Sequence, residues 1–261
     1  MSDAVPILMY HEVSARPDPR YRKYTLMPQE FEQQLDWLRA HGYESVSMDD
    51  VLAARRGERM LPARPVAITF DDGGRDCLEN AVPALVQRGY AATFYIVAGV
   101  VGGPMRWLNA EIGFELPAAD WPTLRAAEAS GMHCEAHSVT HPRLAKVSAD
   151  ACRDELTRGR AMLEEGLGHA VRHLAYPFGS YSAETIALAR EAGYLTACTT
   201  DEALATPAYD PLALPRVPVL GTEGRREFAH RVRTSQRAGP LQLRLERIAR
   251  RFGISSGQRT S

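Results

Sequence analysis

The sequence predicts an α/β fold built on a parallel sheet, and two observations carry that reading. Short apolar runs rich in Val, Ile, Leu and aromatic residues alternate along the 261 residues with stretches whose apolar positions recur at helical spacing. Strands joined through helices in one sheet run parallel, with right-handed crossovers. A third observation narrows the class. No G-x-G-x-x-G follows the first strand and no P-loop occurs, so a nucleotide-binding version is unsupported. The length suits one large α/β domain, since barrels reach this size, or two small ones.

Val5 to Tyr10 reads as a first buried strand, ending at His11-Glu12. Arg16 to Tyr24 is polar and contains Pro, which predicts a surface loop. Pro28 opens a helix at a position where its missing N–H does not matter. Phe31, Leu35 and Leu38 then fall on one face, and Gly42 ends the helix. Tyr43 to Met48 alternates like a strand, and Asp49-Asp50 start a helix through Arg56. Val66 to Phe70 is the central strand, and it leads into Asp71-Asp72-Gly73-Gly74. Leu78 to Arg88 is a helix closed by Gly89, Ala91 to Ala98 a strand, and Gly99 to Pro104 a loop. Trp121 to Ser130 is helical and Met132 to Ala136 a strand. Ser148 caps a long helix with Cys152, Leu156, Leu163 and Leu167 on its apolar face. Val171 to Tyr176, Leu195 to Thr200 and Arg216 to Leu220 are strands, with a helix over Ala183 to Ala192. About seven strand–helix units are countable, without internal repeats.

Composition bounds the function. The chain is 45% hydrophobic, ample for a core, and its net charge of -1 gives no global sign of a nucleic-acid partner. Charge is uneven, with ten Arg against two Glu from Arg225 to Ser261. Cys77, Cys134, Cys152 and Cys198 form no C-x-x-C pair and no disulfide framework, and Cys134 and Cys198 read as core residues. The start of the chain lacks a basic segment and a long apolar run, and no stretch approaches a membrane span. These features predict a soluble, cytoplasmic protein.

The chemistry concentrates at Asp71 and Asp72. Neighbouring strand residues point to opposite faces, so the two acids leave the strand end in different directions. The two glycines after them permit a sharp turn. Alone, such a stretch is equally a polar turn. Sixty-five residues after Asp72 comes His137-Ser138-Val139-Thr140-His141. If this segment turns helically, both histidines face one way and can bind one metal as neutral imidazoles. With Asp72 they make a two-His, one-carboxylate set suited to zinc or ferrous iron, with positions left for water and substrate. Such a metal beside a free carboxylate is the apparatus of metal-assisted hydrolysis.

Thr69-Phe70-Asp71-Asp72-Gly73, His137-Ser138-Val139-Thr140-His141 and Tyr176-Pro177-Phe178-Gly179 resemble the first three motifs of the polysaccharide deacetylase (NodB-homology, carbohydrate esterase family 4) proteins. The similarity runs from about Ile7 to about Val219. It implies a distorted (β/α)7 barrel that removes N-acetyl groups from glucosamine-containing glycans. It implies that Asp71 is the general base and that Asp72, His137 and His141 hold one divalent ion, zinc first, with Co2+, Ni2+ or Fe2+ admissible. It also implies that Tyr176, Pro177 and Phe178 wall the substrate groove, the Phe178 backbone N–H facing the oxyanion.

The chain departs from the pattern twice. Where many members carry Leu-x-x-His, it reads Leu214-Pro215-Arg216-Val217. Met9-Tyr10-His11 instead resembles an early motif of the poly-N-acetylglucosamine deacetylase branch, which implies His11 as general acid; the alternative is a histidine merely hydrogen-bonded at a strand end. The family's frequent Arg before the third motif is Ala175, and Arg172 is the nearest substitute for orienting Asp71. Asp201 is a candidate tether for a catalytic group, or a loop cap. Trp107, Trp121 and Tyr181 are core and rim residues that could stack on sugars. His133 and His173 read as packing residues, and His41, His169 and His230 as surface ones. Rival readings are an amidohydrolase of small linear or cyclic amides, and a glycan-binding pseudoenzyme.

Residues 1–238 read as the catalytic domain. Residues 239–261 read as a basic amphipathic helix, with Leu241, Leu245, Ile248 and Phe252 on one stripe, and a disordered tail from Ser255. The stripe either docks on the acidic body or makes weak contact with anionic membrane.

Overall fold

A computed structural model describes residues 4–237 of the chain. Its first apolar run forms β1 (Ile7–Tyr10), with every side chain buried. Short strands β2 (Glu12–Val13) and β3 (Thr25–Leu26) pair in parallel and clasp the base of the loop between them. Next come α1 (Pro28–Ala40), β4 (Glu44–Ser45), α2 (Met48–Arg55), β5 (Pro65–Phe70), α3 (Arg75–Arg88) and β6 (Thr93–Ile96). The chain continues through α4 (Arg106–Ile112), α5 (Trp121–Ala129), β7 (His133–Ala136), α6 (Ala149–Leu167) and β8 (His173–Ala175). The described residues end with α7 (Ala183–Glu191), β9 (Thr196–Glu202), β10 (Leu214–Pro218) and α8 (Arg225–Thr234).

Seven of these strands close into a parallel barrel in the order β1-β5-β6-β7-β8-β9-β10. Closure depends on β1, where Leu8 lies between Ile68 of β5 and Val217 of β10. β4 pairs with the first residues of β5 outside the ring. Side chains alternate along each strand. Leu8, Tyr10, Ile68, Phe70, Phe94 and Ile96 join the core shared with the helices. Ile7, Ala67, Tyr95, Ala175, Cys198 and Leu214 form a separate cluster on the opposite, inward faces. By the same alternation Thr69 and Asp71 follow Ala67, and Arg216 follows Leu214, into the barrel.

The α/β barrel expectation holds, with local corrections. The strand expected over Tyr43 to Met48 is only Glu44–Ser45, because Ser47 is the N-cap of α2, its hydroxyl accepting from Asp50 N at 3.0 Å. β2, β3, α4 and α8 were not anticipated. His133 heads β7 with an exposed side chain rather than a packed one. All four cysteines are buried and unpaired. Among the described residues no helix is long and apolar enough to cross a membrane. The stripe from Leu241 to Phe252 and the tail lie outside the described residues.

Candidate functional site

The acids at the end of β5 sit on unusual backbone. Asp72 has φ 74° and is followed by Gly73 at the same angle. Ser138 (66°), His141 (62°) and Phe178 (57°) share this left-handed region. These are four of the five non-glycine residues with positive φ among the described residues. Such a conformation costs about 1–2 kcal/mol per residue, so the surrounding contacts must enforce it. Gly74 is needed for a different reason: a Cβ there would lie 2.3 Å from the buried Glu12 carboxylate.

Asp72, His137 and His141 are all buried, and one ligand atom from each lies within 4.8 Å of the others. Asp72 Oδ1 is 3.6 Å from His137 Nε2 and 3.2 Å from His141 Nε2. His137 Nδ1–H donates to the Ala175 carbonyl at 2.7 Å, which fixes the tautomer and turns the Nε2 lone pair toward Asp72. Burial drives the His137 pKa down to about 4, with His141 adding to the effect against Asp71 and Asp72. The imidazole is therefore neutral at neutral pH. The Asp72 carboxyl stays well below the usual range: burial pushes it up, but the hydrogen bond and charge of His141, with His11 and His137, outweigh that. Two imidazoles and one carboxylate at this spacing fit a divalent cation. Among the described residues this is the one His/Cys/Asp/Glu group of three that does so.

Each of these three side chains is held differently. Asp72 Oδ2 accepts from the Tyr21 hydroxyl at 3.1 Å. His141 lies against Trp107 (ring centroids 4.4 Å apart, planes at 23°), and the Phe178 ring meets it edge-on at 4.4 Å. The two histidines converge without a helix. His141 N donates to Ser138 Oγ at 3.0 Å, and Glu155 of α6 accepts from Val139 N, Thr140 N and Thr140 Oγ1 at 2.8, 2.9 and 2.6 Å. Two left-handed residues and a carboxylate clamp, rather than a helical turn, bring the two histidines together.

Asp71 faces inward and is gripped by Arg216. Arg216 Nη1 and Nη2 each donate to one carboxylate oxygen at 2.7 Å, while Nε donates to Thr199 O at 2.8 Å and Nη1 to Thr69 Oγ1 at 3.2 Å. Burial would raise the Asp71 pKa, but the Arg216 charge and hydrogen bonds, with His137 and His11, hold it below the ordinary value. Arg172 does not serve this role, because it is an exposed residue reaching Asp49 at 3.4 Å. No motif singles out Arg216, although a lone Arg in the apolar run Leu214 to Val217 signals a buried charge that needs a carboxylate. Tyr21, Trp107 and Glu155 were also missed as supports.

His11 follows β1, its ring 5.0 Å from that of Tyr24. It lies near enough to Asp71 and Asp72 to influence both carboxyls. Phe178 is half-buried beside His141 with the Arg143 guanidinium 3.9 Å over its ring, and Pro177 is buried. Tyr176 does not present its ring to a groove. It is fully buried, and its hydroxyl donates to Leu212 O at 2.8 Å. Asp201 accepts from the Tyr181 hydroxyl at 2.7 Å, and Tyr181 stacks on Tyr176, so Asp201 tethers that tyrosine. Trp121 lies across Gly166 of α6. His173 is buried with Nδ1 on Thr196 Oγ1 and Nε2 near Asp49.

Residues 58–197 match the family model for polysaccharide deacetylase. The Bacillus subtilis (strain 168) protein YxkH is 25% identical over 215 residues, covering 82% of this chain and 71% of that one. The poly-beta-1,6-N-acetyl-D-glucosamine N-deacetylase of Staphylococcus aureus (strain MSSA476) is 24% identical over 206 residues, covering 75% of this chain and 68% of the relative. The structure of the Streptococcus pyogenes deacetylase PplD in complex with acetate superposes with a TM-score of 0.76 at 25% identity, over 88% of this chain and 98% of that one. The family match spans more than half of the sequence, and the Asp-Asp and His-x-x-x-His motifs inside it meet at one buried cluster at the end of a closed seven-stranded barrel. On these grounds the chain belongs to the polysaccharide deacetylase family.

Proposed function

We propose that this deacetylase is a metal-dependent hydrolase that removes N-acetyl groups from a GlcNAc-type polysaccharide or oligosaccharide and releases acetate. The observation that carries the reading is the juxtaposition of the buried Asp72–His137–His141 set with Asp71, a second carboxylate kept ionised by Arg216. A divalent cation held by Asp72, His137 and His141 would supply Lewis acidity, lowering the pKa of water and polarising the acetamide carbonyl. Zinc suits the donor set best.

The remaining work falls to the chain. Asp71 accepts the proton of the attacking water. The Phe178 backbone N–H faces the developing oxyanion, in a turn held by left-handed backbone. The C–N bond then breaks. An amine leaves poorly without a proton, and His11 supplies it, so acetate and a free amino sugar result. The name of the staphylococcal relative supports a glucosamine polymer as substrate.

The test joins metal analysis to an acetate-release screen over N-acetylated glycans and small amides. One divalent ion per chain is expected, lost together with activity in His137→Ala. Asp71→Asn should keep the metal while kcat falls ~10²–10⁴-fold. His11→Ala should impair amide hydrolysis more than hydrolysis of an activated acetate ester, whose leaving group needs no proton. Full metal occupancy in His137→Ala overturns the ligand assignment, and ring-opening of small amides without acetate release overturns the substrate.

A further inference from the structure

Tyr21 sits in the loop between β2 and β3, a segment whose polar composition suggests plain surface. Its ring is nevertheless buried, at 6% exposure. The loop is closed at its base by the pairing of Glu12 with Thr25 and Val13 with Leu26. Its tip is shaped by Tyr21 N donating to Asp18 O at 3.0 Å and by Thr25 Oγ1 donating to Tyr21 O at 3.0 Å. The ring packs between Tyr24 and Phe114, with centroids 5.4 and 6.2 Å away. These contacts leave the hydroxyl aimed at Asp72 Oδ2, 3.1 Å away. The other carboxylate oxygen, Oδ1, is the one beside both histidines.

We propose that Tyr21 is the positioning residue of the metal ligand Asp72: its hydroxyl occupies Oδ2 and so presents Oδ1 alone to the cation. This rests on the metal-site reading above. A carboxylate free to rotate can bind through both oxygens and fill a coordination position that water or substrate needs. A carboxylate with one oxygen engaged by a buried phenol binds through the other. The need for a side-chain anchor is local. Asp72 sits on left-handed backbone at a turn rather than in a strand, so the sheet does not fix its orientation. His137 has the Ala175 carbonyl and His141 its aromatic neighbours; Tyr21 completes the set. Partners that orient a ligand in this way are worth about 10–100-fold in metal affinity.

The test compares the full-length wild type with Tyr21→Phe, which keeps the ring and its packing. Zinc affinity is read by competition with a chromophoric chelator at fixed pH. The visible spectrum of the Co2+-loaded protein reports coordination number. Tyr21→Phe is expected to bind zinc about ten-fold or more weakly, with a cobalt spectrum of higher coordination number. Phe114→Leu, which loosens the same loop without touching the hydroxyl, should keep wild-type affinity and spectrum. Equal affinity and spectrum in Tyr21→Phe and wild type overturn the proposal while the metal reading stands. Equal losses in Phe114→Leu and Tyr21→Phe overturn it as well, by assigning the effect to loop packing. A wild type that binds no divalent ion overturns both readings.

Discussion

Asp71 has to stay ionised in a place that disfavours charge, and Arg216 is what reconciles the two. Both residues are almost fully buried, at 3% and 0% exposure. A paired guanidinium there makes sense only with its carboxylate, since removing one partner of a buried pair costs about 3–5 kcal/mol. Arg216→Gln should therefore lower the unfolding free energy by about that amount. It should also let the Asp71 pKa rise. The proton then binds Asp71 more tightly, so the acid limb of the kcat profile moves to higher pH; an unmoved limb would argue that Arg216 does not govern the base. His137 gives a second expectation. Burial lowers its pKa from the usual 6.5 to about 4. Between those values the unfolded chain binds more protons than the folded one, so stability of the metal-free protein falls as pH drops from about 6.5 toward about 4. Urea midpoints across that range should show the fall in wild type and a shallower one in His137→Asn. Parallel curves would disprove the assignment. At this scale the sequence revealed Asp71, Asp72, His137 and His141 because each lies in a compact motif. It did not reveal Arg216, whose meaning lies in a partner 145 positions away.

Elements decide whether those residues converge. The 138–141 turn is pressed from two sides, by Glu155 of α6 and by the backbone after β6. Ala98 N and Gly99 N donate to Ser138 O and Val139 O at 3.0 and 2.9 Å. A Cβ on Gly99 would fall 2.5 Å from Val139 O and 2.9 Å from Val139 Cγ1. The nearer atom is backbone and belongs to the clamped turn, so it cannot swing aside as a flexible side chain would. Gly99→Ala should displace His141 and weaken zinc binding at least about ten-fold, although it touches no ligand. Chelator competition checks this, and unchanged affinity would show that the turn yields elsewhere. The long helix α6 was legible from Ser148 and its apolar stripe. The short α4 was not, since seven residues between a glycine-rich loop and Gly113 give too little periodicity. Yet α4 delivers Trp107 to His141. The turn itself is not legible, because a spacing of four permits a helix without requiring one and cannot reveal left-handed residues.

Across the whole molecule, the strand count could be read from the sequence but the closure could not. Hydrophobic period is local, whereas closure joins Leu8 to Val217. That pairing has a functional side. The segment matching the family model, residues 58–197, contains Asp71, Asp72, His137 and His141. It lacks β1, β10 and all but the first two residues of β9, and with them His11, Tyr21 and Arg216. Without β1 the buried strand β5 loses its ladder over residues 67–70, exposing unpaired backbone groups and apolar faces. Without Arg216 the carboxylate of Asp71 stands unpaired beside the ligands. The motif residues alone are therefore expected to be insufficient, because β1 and β10, which flank the matched segment, supply the strand pairing and the Arg216 partner. A fragment of residues 58–197 is expected to show no cooperative thermal transition and to bind zinc at least ~100-fold more weakly than the full chain. Circular dichroism melts and chelator competition on the two proteins decide this. A cooperative melt together with full-chain affinity in the fragment would mean that its four whole barrel strands, β5 to β8, organise the site alone, and that closure serves stability rather than chemistry.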